Sequence, residues 1–141
     1  MNRFKSSTTV AGIVSIFVAT LLFYPMTGAA EECYVVKVFG IGSPVSLRLD
    51  PDIISISKGN CVVWINWGRE IEVTVKFKEG KRCAEATKAP VGFRMDAMNC
   101  YLAERIPLGG TASLMFNEEG TFDYEVGTPF ASVRGTIIVR K

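Results

Sequence analysis

The chain of 141 residues contains no histidine. That absence removes the side chain that most often serves as general base, activates a serine or cysteine nucleophile, and ligates transition metals near neutral pH. No CxxC pair occurs among the four cysteines, Cys33, Cys61, Cys83 and Cys100, which argues against a thioredoxin-like redox motif and a zinc knuckle. Beyond residue 30 no stretch keeps helical periodicity over three turns, and there is no internal repeat, low-complexity tract or second domain. Basic residues are scattered singly, so no patch draws nucleic acid or anionic lipid. Paired carboxylates do occur, but Glu70/Glu72 fall beside or on the wet face of a predicted strand and Glu118/Glu119 in a turn, where they serve solubility. Nothing singles out any one lysine for catalysis. The expectation is a protein that is not an enzyme and carries no cofactor.

What is present begins with a targeting pattern. Arg3 and Lys5 precede an apolar run from Val10 to Tyr24 interrupted by Ser15 and Thr20, and Gly28-Ala29-Ala30 supplies small residues for signal peptidase. Residues 1–30 are therefore read as a signal peptide and residues 31–141 as the domain. An uncleaved anchor is the alternative, though the run is shorter than the roughly 20 apolar residues that span a bilayer. Either way the domain is exported, periplasmic or extracellular, and meets a membrane only through this segment if it is kept. Glu31-Glu32 before Cys33 argues against lipid attachment there. Without residues 1–30 the basic residues fall from 16 to 14 and equal the 14 acidic ones, a balanced surface.

The remaining chain reads as all-β. Strands are predicted at Cys33–Phe39, Val45–Leu49, Asp52–Ser57, Cys61–Asn66, Ile71–Phe77, Thr111–Phe116, Phe122–Val126 and Gly135–Arg140, with a tight turn at Lys58-Gly59-Asn60. In Ile71–Phe77 the apolar residues Ile71, Val73, Val75 and Phe77 alternate with Glu72, Thr74 and Lys76, giving one buried and one wet face. Lys78 to Arg105 breaks the pattern, an insertion with a loop or a short helix, the latter placed at Met95–Arg105 where Met95, Met98, Tyr101 and Leu102 fall near a common face. About a hundred residues of short strands favour a two-sheet sandwich. An immunoglobulin-like arrangement is the rival, but Trp64 follows Cys61 too closely to sit on the next strand.

Two blocks narrow the choice. Pro51–Asn66 (PDIISISKGNCVVWIN) has a strand, a glycine turn and a Val-x-Trp-x-Asn strand, and Ile106–Val139 contains IPLGGTASLMF, EGTFDY and RGTIIV. Together they resemble the cupredoxins, which implies a Greek-key β-sandwich. The resemblance also implies where copper ligands would stand. The C-terminal loop of that family carries Tyr-x-Cys, then His, then Met-x-Gly. Here Val126 stands at the thiolate position, Phe130 at the second imidazole and Val133, just before Arg134-Gly135, at the thioether. Four residues before Phe77, where the first imidazole would stand, is Val73. A blue copper site needs two imidazoles and a thiolate, so this chain cannot build that ligand set.

The resemblance implies further that the first and third strands run side by side in the same direction, which would let the strand starts at Cys33 and Cys61 meet as a disulfide. Residue composition alone leaves three connectivities open. Cys83 and Cys100 are expected to bond to each other, worth roughly 3 kcal/mol by loop entropy. The alternative is a soft copper site built from Met95, Met98, Cys83 and Cys100 as reduced sulfur ligands, making the protein a copper carrier. The leading expectation is a non-catalytic binding or assembly module of an envelope or redox complex that has lost its type 1 copper site. Its unknown protein partner would dock at the former copper end through Phe130, Pro129 and Trp67.

Overall fold

The computed structural model describes residues 32–41, 46–68 and 71–141. The predicted signal peptide therefore lies outside the described residues. Two sheets face each other. The first has the order β2 (Ser46–Asp50), β1 (Cys33–Ile41), β4 (Cys61–Asn66), β9 (Thr111–Phe116), β6 (Thr87–Val91). The second has the order β3 (Ile53–Ser57), β11 (Ser132–Arg140), β10 (Gly120–Gly127), β5 (Val73–Phe77), β8 (Tyr101–Ile106), β7 (Phe93–Met95). Neighbours are antiparallel except β1 with β4 and β3 with β11. The two sheets are a β-sandwich.

Alternation builds the interior. Val36 and Val38 of β1, Val62 and Trp64 of β4, Ala112, Leu114 and Phe116 of β9 point inward, as do Val73, Val75 and Phe77 of β5 and Phe122, Tyr124 and Val126 of β10. Trp64 is the centre of an aromatic group, edge-on to Phe77, Phe93 and Tyr124 at centroid distances of 5.8, 5.4 and 5.4 Å. Gly135 lets the second sheet close over it, because a Cβ there would come within 2.3 Å of the Tyr124 ring. Across the first sheet the parallel pairing of β1 with β4 sets Cys33 opposite Cys61, and the two form a disulfide with Cα atoms 4.4 Å apart.

Segment 78–105 departs from its expected form. The helix is α1 (Gly80–Ala86), not Met95–Arg105, which instead holds the end of β7, a turn and β8. Turn chemistry decides this. The Asp96 carboxylate accepts the N–H groups of Met98 (2.9 Å) and Cys100 (2.7 Å), and Asn99 takes a left-handed conformation (φ 58°) that closes the hairpin. The helix lies close against β8, where Gly80 allows contact that a Cβ would block at 2.0 Å from the Tyr101 nitrogen. Cys83 turns inward from this helix into the core and Cys100 is half-buried, and both are free thiols. The second bridge expected between them is therefore not formed.

Candidate functional site

One end of the sandwich gathers the last residue of β4, the last of β8, the first of β5 and the β10–β11 turn. Asn66 organises it. Its Nδ2 donates to the carbonyls of Ile71 (2.8 Å) and Ile106 (3.0 Å), while its Oδ1 accepts the N–H of Gly68 (3.2 Å). Its backbone N–H bonds the Gly110 carbonyl and its carbonyl accepts from the Gly109 N–H. One buried amide thus anchors two loops whose own polar groups would otherwise lack partners.

The four ligand positions implied by the family resemblance lie about this end. Val126 is fully buried and paired across β11 with Val133 and across β5 with Val75. Val73 is buried and Val133 half-buried against the core. A void of about 10 Å³ touches Val73, Asn66, Ile71 and Thr128, no more than the space one water needs. Both Asn66 amide hydrogens are already engaged. Apolar side chains have closed the interior, and the residues present do not fit copper.

Phe130 behaves differently from the three valines. It is 79% exposed, held outward by the turn Thr128–Ala131. The Thr128 N–H bonds the Ala131 carbonyl at 2.8 Å, and the Thr128 hydroxyl oxygen accepts the N–H groups of Phe130 (3.3 Å) and Ala131 (3.1 Å). This is a side-chain-closed turn with an aromatic at its tip. Beside it lies a cleft of about 580 Å³ lined by Ile71, Glu72, Thr74, Arg105, Gly127, Thr128, Pro129 and Phe130. Trp67, 57% exposed, lines a second opening of about 420 Å³ with Phe39, Ile41, Arg48 and Asp50. The Lys37 ammonium sits 5.7 Å from its ring centroid. The three predicted docking residues therefore divide, Pro129 and Phe130 on one cleft and Trp67 on another. Leu108, half-exposed in the turn tied to Asn66, adds apolar surface at this end.

Arg105 and Thr74 were not expected at the site from sequence, and Glu72 was read only as half of a solubilising carboxylate pair. Arg105 reaches the cleft because β8 carries one extra residue opposite β5, between the pairs Val73↔Ile106 and Val75↔Ala103. A bulge depends on the partner strand, so no local pattern announces it.

The sulfur-bearing residues lie toward the other end, since β8 runs from Tyr101, next to Cys100, to Ile106 at the cleft. Cys83 is buried, which pushes its thiol up to about 12 and disfavours the thiolate a metal would need. Met98 is exposed to solvent at its turn, and Met95 partly so. Among the described residues no group of three or more His, Cys, Asp or Glu side chains could hold a metal ion.

Solved structures of amicyanin share this architecture. A methionine-to-alanine variant in the Cu(I) state matches with a TM-score of 0.51 and 23% identity, covering 77% of this chain and 82% of that one. A reduced tryptophan-to-tyrosine variant matches at 0.52 and 21%, covering 80% and 87%. A second methionine-to-alanine variant, as Cu(I), matches at 0.51 and 22%, with the same coverage. Neither the scan of family models nor the search of curated proteins returned a match. At these identities the likeness establishes the fold, which is that of a cupredoxin.

Proposed function

We propose that this chain, a cupredoxin fold without the copper ligands, is an exported, non-catalytic module that binds a protein partner at the former copper end, within an envelope or redox assembly. The observation that carries the reading is Phe130. Where three of the four ligand positions are occupied by valines packed into the sheet, the fourth presents a large aromatic to solvent on a turn whose hydrogen bonds hold it there. Exposing such a side chain gains nothing for stability, and an exposed aromatic above an apolar cleft suits a docking surface. Fold alone supplies no function, so the reading rests on this surface. Export is supported by the N-terminal pattern and by the Cys33–Cys61 disulfide, since such bonds persist in oxidising compartments.

The test is a photo-crosslinking amino acid placed at position 130 and, separately, at Glu119 as a control, in the chain expressed with its own N-terminal segment. A discrete adduct from position 130 alone, lost on Thr128→Ala or Pro129→Asp, supports docking at this end. Equal adducts from both positions, or none from position 130, contradict it. Phe130→Asp should leave the melting temperature within about 2 °C of the parent, since an exposed side chain carries little stability.

A further inference from the structure

The geometry points to a specific kind of occupant for the cleft beside Phe130: an extended segment of a partner protein that presents a carboxylate next to an aromatic side chain, with Arg105 selecting the carboxylate. This rests on the docking reading above and says what docks.

Three observations converge on Arg105. The first is its backbone. Arg105 has φ 52°, in the left-handed region where a Cβ is unfavourable and glycine is the usual choice. Asn99 and Ala89 share that region, but Asn99 is a favoured turn residue and Ala89 carries no functional group. Arg105 places a charged side chain where its backbone favours glycine, an outlier of the kind that directs attention to function.

The second is its partners. The bulge places Glu104 and Arg105 together opposite Thr74. Glu104 is engaged by Arg94, whereas among the described residues Arg105 has no ion-pair partner within 4.0 Å. The third is the setting. Arg105 lines the same cleft as Phe130 and Pro129, so a guanidinium that can grip a carboxylate through two parallel bonds lies beside an exposed aromatic and proline wall. Glu72, also on this cleft and without an ion pair among the described residues, repels a bare anion. It thereby favours a segment that sets its carboxylate at Arg105 and turns its neutral backbone N–H groups toward Glu72. Carboxylate beside aromatic is the chemistry complementary to this arrangement.

The experiment titrates the isotope-labelled protein, purified from expression of the full chain, with two blocked tetrapeptides followed by NMR. One has adjacent phenylalanine and aspartate, the other asparagine for the aspartate. Parent, Arg105→Gly and Phe130→Asp proteins are compared, each with its melting temperature. The expected result is binding of the aspartate peptide that shifts amides of Thr74, Arg105 and Thr128–Ala131, with the asparagine peptide weaker by about tenfold. Arg105→Gly should remove that preference and melt at or above the parent temperature, because glycine suits the backbone there. Equal binding of the two peptides, with Phe130→Asp abolishing both, overturns the role of Arg105 and leaves docking standing. No binding of the aspartate peptide, or shifts confined to other surfaces, overturns the carboxylate–aromatic occupant. A fall in melting temperature of more than about 4 °C in Arg105→Gly, a change on the scale of 1 kcal/mol, would show that the arginine serves to hold the bulge and overturns its assignment as the group that selects the carboxylate.

Discussion

Individual residues explain why the interior is closed and yet carries polar atoms. Asn66 satisfies two carbonyls and a backbone amide from a fully buried position, whereas Tyr124, equally buried, leaves its hydroxyl without a hydrogen-bond partner, as does the indole N–H of Trp64. Burial pushes the Tyr124 hydroxyl up to about 12, opposed by the nearby Trp64 indole. The folded pKa lies above the ordinary value of 10.0, so the stabilisation from keeping this group neutral is complete below pH 10. It is lost as pH rises toward 12. The Cys83 thiol, raised from 9.0 to about 12 by burial, acts in the same direction from pH 9 upward. Tyr124→Phe should therefore lie within about 1 kcal/mol of the parent at pH 7, since it removes an unpaired polar atom, and should lose stability less steeply above pH 10. Urea unfolding at pH 7 and pH 11 checks this. A loss of about 3 kcal/mol at pH 7, or an unchanged alkaline slope, would mean that the Trp64 indole N–H serves the hydroxyl as a hydrogen-bond partner.

Strands and turns were legible where their signals are local. Thr111–Phe116 appears in the structure with its expected boundaries, and the alternating strands expected at Asp52–Ser57 and Ile71–Phe77 begin one and two residues later, at Ile53 and Val73, on either side of the Lys58-Gly59-Asn60 turn and Cys61–Asn66. Segment 78–105 was not legible, because its form comes from non-local contacts: α1 depends on Gly80 fitting against β8, and the hairpin depends on Asp96 closing its turn. The candidate site divides along the same line. Phe130 and Pro129 could be found by counting within one loop, but the bulge that delivers Arg105 and the separate cleft that takes Trp67 arise from strand register. Gly135 belongs to this scale as well, since it sets how closely β10 and β11 carry Tyr124 across the sheet. Gly135→Ala should cost about 1–3 kcal/mol through overpacking, read as a lowered urea midpoint with an unchanged m-value. A neutral effect would show that the Tyr124 ring can move aside at no cost.

For the whole molecule, a cupredoxin fold stands with apolar side chains at the positions where the family resemblance implies copper ligands. The disulfide ties the N-terminal strand to the sheet, the aromatic group around Trp64 fills the centre, and valines occupy the interior ligand positions. These contacts fill the interior with side chains, and Phe130 stands exposed at one end. The central claim is this separation of fold from copper, and it is tested most directly by elemental analysis of the purified protein after incubation with cuprous and cupric copper and desalting. Thiols are counted in denaturant on the same sample. The account predicts no retained copper and two thiols per chain, from Cys83 and Cys100. Retention of one copper per chain that is lost on Cys83→Ser or Met95→Leu would contradict it and move the functional centre to the sulfur-bearing end.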